Sequence, residues 1–327
     1  MRLFLAALAL AGLAPAHLGS GDDVQPRNTV SVVESVTPEL PDGVRVDIVG
    51  GDTFVRLRTT GHAVSVPGYE GEEYIDISVD GTVCENNAST TSKLNVNRFG
   101  DAAVPDESGD VSWNTTSSDG TAMWHDHRVH WMSPSTPVVI DGNGTVQRWT
   151  LTVVVDGAAH TVAGTLYLRG QRSVLWWLTG LLGAVAVGCL AGRNRRRFYA
   201  SLVCVAALGT VTGTLQWWSL PPAARITPLM MLFGAGALIV AVVAVVLCRR
   251  THGGQQTEWI ASSMSAGSGA AMLLAAWMSW QQVQSAYVPI VGPVWIARIT
   301  VTTLVGAGVV AVVDGVVRVM RVQPSTD

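Results

Sequence analysis

The chain has 327 residues, of which 48% are hydrophobic and 14% are charged, and its formal net charge is −3 at pH 7. Its length allows two domains. It has no phosphate-binding loop, no nucleophile with a plausible base, no Cys-x-x-Cys pair and no basic patch typical of nucleic-acid binding. We therefore expect a non-catalytic protein without a nucleic-acid partner.

The N-terminus is typical of a secretory signal peptide. Arg2 precedes an apolar run of 11 residues, Leu3 to Leu13, which is too short to span a bilayer that needs about 20. Small residues at Ala14 and Ala16 fit signal peptidase. We expect residues 1–16 to be removed, with cleavage sites up to about residue 21 also compatible. An uncleaved anchor is the alternative.

Residues 22–170 form an acidic segment, with 21 Asp and Glu against 9 Lys and Arg, a net charge of −12. Cys84 is the only cysteine in this segment, and the other three cysteines lie in apolar runs. An internal disulfide is therefore excluded, and this domain must fold on its hydrophobic core alone.

Short alternating runs in this segment predict β-strands. Residues 44–48 alternate and reach the turn Gly50-Gly51-Asp52, and residues 151–155 reach Asp156-Gly157. Both patterns are typical of hairpins. We predict an all-β sandwich of the immunoglobulin or cupredoxin kind. Residues 86–122 are rich in Asn, Ser, Thr, Asp and Gly and predict a long connection.

Three of the seven histidines lie within six residues of this domain, in the run Trp124-His125-Asp126-His127-Arg128-Val129-His130-Trp131-Met132. On a flat strand, His125 and His127 share one face and His130 takes the other. A bulge or turn near Arg128 and Val129 would bring His130 to the first face. Otherwise further ligands must come from His62 or His160.

Three interpretations of the run remain open. In the first, His125, His127 and His130 bind a metal, Met132 adds a thioether ligand, and Asp126 orients one of the rings from the second shell. Imidazole with thioether favours copper. In the second, the histidines are structural and bond the loop backbone. In the third, the run is a recognition surface. We expect His160 to be a core or edge residue and His62 to be solvated.

Five membrane-length segments follow, so the lipid bilayer is an expected partner. They lie near 173–192, 198–218, 227–248, 259–281 and 294–314. Arginines crowd the first connection (193–197), the third (249–250) and the tail (318, 321), whereas the second has only Arg225 and the fourth has none. The positive-inside rule then places residues 17–170 outside the plasma membrane and the tail, 319–327, in the cytoplasm.

Tryptophans and glutamines mark the predicted outer ends of these segments. The tryptophans fit an interfacial belt, and Gln216, Gln281, Gln282 and Gln284 are expected to form a polar seat for the exported domain. Arg298 and Asp314 lie away from the predicted midplane, which argues against an ion-coupled transporter.

The run at 124–132, the Val-Pro-Gly-Tyr-Glu-Gly-Glu run at 66–72 and the five spans resemble a group of uncharacterised actinobacterial membrane proteins. The resemblance covers most of the chain and implies this architecture, without an established activity. The residues predict an extracytoplasmic metal-binding protein, with copper as the metal, in metal handling or membrane-complex assembly. The alternative is an accessory or interaction subunit of a membrane or envelope partner with a structural histidine cluster.

Overall fold

The structure, a computed structural model, describes residues 26–95, 98, 111–133, 135–220, 228–249, 254–290 and 292–321. The predicted signal peptide lies outside these residues, as do residues 322–327 of the predicted tail. Antiparallel β-sheets occupy the first half of the described chain, and five helices long and apolar enough to cross a membrane follow.

The described residues of the β region form ten strands and one short helix. The strands are β1 (Thr29–Thr37), β2 (Arg45–Val49), β3 (Phe54–Arg58), β4 (Val64–Pro67), β5 (Glu73–Ile77), β6 (Val83–Asn86), β7 (Trp113–Ser117), β8 (Thr121–Trp124), β9 (Thr145–Val155) and β10 (Ala158–Leu168). Helix α1 (Thr90–Leu94) lies between β6 and β7, and the side chain of Ser89 caps it by accepting from the Ser92 amide.

The strands form two sheets that share one hydrophobic core. Seven strands follow the order β1-β10-β9-β4-β5-β6-β7, and three follow the order β2-β3-β8. Leu57 and Trp124 of the smaller sheet lie in the same buried cluster as Ile77, Leu151 and Leu166 of the larger one. Apolar faces that pack in this way remove their side chains from water, which is the main source of stability for such a domain. The immunoglobulin or cupredoxin type stays a prediction.

Both predicted hairpins are present. β2 pairs with β3, and β9 pairs with β10, each in antiparallel register. Asp156 and Gly157 have φ of 49° and 83°, the left-handed values that a two-residue hairpin turn requires. Gly51 is needed for another reason, because a Cβ there would lie 2.6 Å from the carbonyl oxygen of Thr29.

The long connection predicted at 86–122 is wrong in part, since it contains α1, β7 and the start of β8. The sequence of β7 is Trp-Asn-Thr-Thr-Ser and no residue of it is buried, so it has no apolar alternation to detect. Strand β1 also escaped detection. It buries the polar residues Thr29 and Ser31 and exposes Val32, which reverses the usual pattern.

The helical region begins with a 3-10 turn, Val174–Trp176. It continues with α2 (Trp177–Arg193), α3 (Arg195–Trp218), α4 (Leu229–Arg249), α5 (Gln255–Trp277), α6 (Gln281–Gln284) and α7 (Val294–Arg321). All except α6 belong to the five candidate membrane spans. The fourth span, predicted near 259–281, is the helix Gln255–Trp277, and the fifth, predicted near 294–314, is the helix Val294–Arg321. Helix α7 is central and contacts α2, α3 and α5.

The β region rests on one end of this bundle. Arg27 and Tyr287 exchange two backbone hydrogen bonds of 2.9 and 2.8 Å. Leu220, just past α3, packs against Val49 and Phe54 of the smaller sheet. Beneath this contact the amide of Gln216 donates to Gln282 at 2.7 Å, so two of the four predicted seat glutamines pair with each other.

Charged residues gather at the other end of the bundle. Arg195 at the start of α3 donates to Asp314 of α7 at 2.6 Å, and Arg318 donates to the same carboxylate at 3.1 Å. Arg318 also lies 3.5 Å from Glu258 at the start of α5. This network ties three helix ends together on the side away from the β region.

Candidate metal centre

A turn directly after β8 brings the three histidines together. The strand ends at Trp124, and the amide of Val129 donates to the carbonyl of Asp126 at 3.2 Å. The Asp126 carboxylate also accepts from the amide of Arg128 at 3.0 Å, which is the side-chain turn that Asp favours. A turn is therefore present near Arg128 and Val129, and it returns His130 to His125 and His127.

The turn is anchored in the domain core. The side chain of Val129 is fully buried within the shared core. Its carbonyl accepts a hydrogen bond from the Ser31 hydroxyl of β1. From β9, the side-chain amide of Gln147 donates to the backbone carbonyls of Arg128 and His130 at 3.3 and 3.2 Å. Contacts from two strands thus fix the position of the loop.

The histidine cluster, His125, His127 and His130, forms a compact buried group. Ring centroids lie 4.2 Å apart for His125 and His130, 5.6 Å for His125 and His127, and 5.2 Å for His127 and His130. One nitrogen from each ring can be chosen so that all three lie within 4.8 Å of one another. The residues are 7%, 9% and 0% exposed, respectively. Imidazoles so placed can converge on one ion.

Backbone carbonyls orient two of the rings. Nδ1 of His125 lies 2.9 Å from the Thr53 carbonyl oxygen, and Nδ1 of His130 lies 3.0 Å from that of Trp131. A carbonyl only accepts, so each Nδ1 carries the proton and each Nε2 keeps its lone pair. Both Nε2 atoms are buried and have no hydrogen-bond partner. A ligand-ready imidazole has this arrangement.

Tyr69 supports the third ring. The ring of His127 stacks on that of Tyr69, with centroids 6.2 Å apart. The Tyr69 hydroxyl accepts from the backbone amide of His127 at 2.9 Å and donates to Asn95. The guanidinium of Arg128 also lies over the ring of Tyr69, 4.9 Å from the ring centre. The two sequence runs at 66–72 and 124–132 therefore meet at the cluster.

The environment of His125 and His130 keeps these two rings neutral. Burial is the largest cause that lowers the pKa of His125 to about 3, and the positive charge of Arg98 adds to it. Burial is also the largest cause that lowers the pKa of His130 far below its usual range, and the positive charge of Arg98 adds to it. A metal ligand must be an unprotonated imidazole, so these shifts favour the form that binds a metal.

The role predicted for Asp126 is not the one observed among the described contacts. Its carboxylate accepts from the Trp124 indole at 2.9 Å and from Arg128 Nη2 at 2.7 Å. These donors, with the Arg128 amide, occupy the carboxylate, so it shapes the loop. The carbonyls of Thr53 and Trp131 orient the rings in its place.

Of the other candidates, His62 and His160 do not belong to the histidine cluster. Met132 is 44% exposed, and its part as a thioether ligand stays a prediction. His62 bonds Asp156 at 2.7 Å and the Asp42 carbonyl. His160 is buried on β10, as expected of a core residue, and bonds the Pro38 carbonyl at 2.9 Å. Among described residues, only the three clustered histidines form a metal-sized group of His, Cys, Asp and Glu side chains.

Sequence reasoning missed Asp52 and Arg98. Arg98 donates to Asp52 at 2.6 Å, and both side chains are buried. Asp52 looked like a turn residue, and Arg98 lay in the segment interpreted as a connection. Their 46-residue separation gave no signal that they pair beside the histidines. The sequence did single out the run at 66–72, which contains Tyr69. The contact between Tyr69 and His127 could not be predicted, because it depends on the tertiary structure.

No protein-family model, curated protein or solved structure matches this chain. What can be inferred about its site therefore rests on its own residues.

Proposed function

We propose that the protein is a membrane-anchored metal-binding protein whose ligands are His125, His127 and His130. The observation that carries this proposal is the pair of buried, unpartnered Nε2 lone pairs of His125 and His130 beside the third ring. A buried acceptor without a partner costs about 1–3 kcal/mol. A metal ion would satisfy both atoms at once.

Copper is the metal proposed first. Imidazole suits copper, zinc, iron and nickel, and a thioether shifts the preference towards copper. Met132 follows the third histidine by two residues. Bonds of about 2.0–2.1 Å to a tetrahedral ion hold ligand nitrogens about 3.4 Å apart, so the rings would draw together on binding.

We also propose that the β region is extracytoplasmic and the C-terminus cytoplasmic. The arginine-rich connections support this orientation. Arg195, Arg249 and Arg318 lie at helix ends opposite those that meet the β region. A metal site outside the membrane and against the bundle suits metal handling or the assembly of a membrane complex.

The test is metal stoichiometry of the full-length chain, purified in detergent and stripped with a chelator. We expect one copper per chain, and loss of that copper in the double variant His125→Gln with His130→Gln. The matched control is His160→Gln. His160 is also buried and also bonds a backbone carbonyl through Nδ1, but it lies outside the cluster. If the protein binds zinc tightly and no copper, the proposed metal is wrong but the site stands. If it binds no transition metal at all, the proposal is wrong.

A structural cluster in an accessory or interaction subunit is the second candidate. It is favoured by the hydrogen bonds from His125 and His130 to two separate carbonyls. In that case the double variant loses stability in the metal-free state, as His160→Gln does, and the wild type gains no thermal stability from copper. In the metal case, copper raises the melting temperature of the wild type only while the cluster is intact.

A further inference from the structure

A buried ion pair lies directly beside the histidine cluster. Asp52 immediately precedes Thr53, whose carbonyl bonds His125, and the carboxylate of Asp52 is fully buried. It accepts from Arg98 at 2.6 Å and from the Thr29 hydroxyl at 2.7 Å, both through Oδ2. Arg98 is 1% exposed, and its charge acts on His125 and His130.

This pair is only half satisfied. Nε and Nη1 of Arg98 and Oδ1 of Asp52 are buried and have no partner. With the two Nε2 atoms of His125 and His130, they make five buried side-chain atoms without a hydrogen-bond partner. Orphaned donors and acceptors therefore concentrate at one place in the fold, where each carries a desolvation cost.

The charges around the cluster leave a bound divalent ion unbalanced. Arg98 pairs with Asp52, and Arg128 pairs with Asp126. The imidazoles that bind a metal are neutral. Asp52 does not belong to the group of ligand atoms within 4.8 Å, so it adds no direct ligand. A divalent ion would bring two positive charges into a buried site, which is costly without an anion.

We propose that the metal site takes a small exogenous oxygen ligand, a solvent-derived hydroxide, held between the ion and the pair of Asp52 and Arg98. The inference rests on the proposed metal function. One of the two unpartnered nitrogens of Arg98, Nε or Nη1, donates to the ligand oxygen, and Asp52 Oδ1 accepts the proton that the hydroxide keeps. Water binds and releases one proton to solvent, which lowers the site charge by one. Three protein ligands and one exchangeable position are a known arrangement of imidazole metal sites.

The test uses the full-length chain in detergent, loaded with Co²⁺, with sodium azide as the exchanging anion. We expect a visible cobalt spectrum that azide shifts, with saturation at one azide per metal. In Arg98→Gln, the spectrum before azide should persist, and the azide affinity should fall at least tenfold, because the guanidinium no longer faces the anion.

Two further variants keep the result interpretable. Asp52→Asn combined with Arg98→Gln removes both charges and guards against an unpaired buried carboxylate. It should bind Co²⁺ and show the same loss of azide affinity. Arg56→Gln is the control, because Arg56 pairs with Asp47 on the β2–β3 hairpin, and it should bind azide as the wild type does. A stoichiometric cobalt spectrum that azide leaves unchanged, or equal azide affinity in all variants, overturns this inference alone. Failure to bind cobalt, copper or zinc at all overturns the proposed function and the inference with it.

Discussion

The carbonyl oxygen of Thr53 lies 2.9 Å from Nδ1 of His125. Thr53 belongs to the turn between β2 and β3, and the next residue, Phe54, packs against Leu220 at the end of α3. The same aromatic ring meets that of His125 edge-on, with centroids 6.4 Å apart. The orientation of one candidate ligand is thus set where the β region touches the helical bundle.

Phe54→Ala should destabilise the β region and loosen the cluster. Phe54 is 2% exposed, and truncation of a buried Phe costs about 3–5 kcal/mol. Chemical denaturation followed by tryptophan fluorescence should show this loss, and metal affinity should fall with it. Val32→Ala is the control, since Val32 is exposed on β1 and should change stability by less than about 0.5 kcal/mol. Equal effects of the two changes would contradict the packing described.

Tyr69→Phe should weaken the loop without a cavity. The change leaves the amide of His127 without its acceptor and Asn95 without its donor, at a cost of about 1–3 kcal/mol. Tyr167→Phe is the matched control, because the Tyr167 hydroxyl donates to Glu34 in an exposed pair. Thermal melts of the metal-free protein should separate the two variants, and indistinguishable melts would remove Tyr69 from the support of the site.

The metal-free protein should lose stability as pH falls below about 6.5. The folded pKa of His125 is about 3 and that of His130 is lowered further, so the unfolded chain binds protons that the folded chain does not. The free energy of unfolding then decreases with falling pH, by up to about 1.4 kcal/mol per pH unit for each histidine. Denaturation between pH 7 and pH 4.5, in the presence of chelator, measures this slope.

Two variants test which histidines cause this pH dependence of the free energy of unfolding. The double change His125→Gln with His130→Gln should make the pH dependence shallower than in the wild type. His62→Gln should act in the opposite sense, and only above about pH 6.5, the unfolded pKa of His. The hydrogen bond to Asp156 raises the pKa of His62, so its contribution is present at low pH and is lost as pH rises. A double variant with an unchanged slope would show that these rings do not titrate as described.

The orientation is tested by cysteine labelling in intact cells, on a background without the four native cysteines. Ser118→Cys lies in an exposed turn of the β region and should react with an impermeant maleimide, whereas His252→Cys should not. Gly120 is unsuited to this test, because its φ is 71° and a Cβ there would lie 2.3 Å from the Thr59 carbonyl. The reverse labelling pattern would overturn the proposed extracytoplasmic location.

Local patterns determined most of the architecture. Apolar length alone located five helices to within several residues, because a helix that spans about 30 Å of hydrocarbon needs about 20 apolar residues. Alternation with Asp-Gly and Gly-Gly turns identified the hairpins β2–β3 and β9–β10. Strand β7 lies at the edge of its sheet and exposes polar side chains, so its sequence carries no such pattern. Its pairing with β6 in the structure identifies it as a strand.

The sequence alone determined which residues could form a site, and the tertiary structure decided how they do so. The density of histidines at 125–130 was visible in the chain, as was the need for a turn to unite them. The chain did not reveal which ring nitrogens keep a free lone pair. That depends on the carbonyls of Thr53 and Trp131, which bond the other nitrogens, and on burial by both sheets. The neighbouring pair of Asp52 and Arg98 and the stacking of Tyr69 on His127 likewise join distant segments. Such contacts follow from the packing of the sheets, which no local pattern encodes.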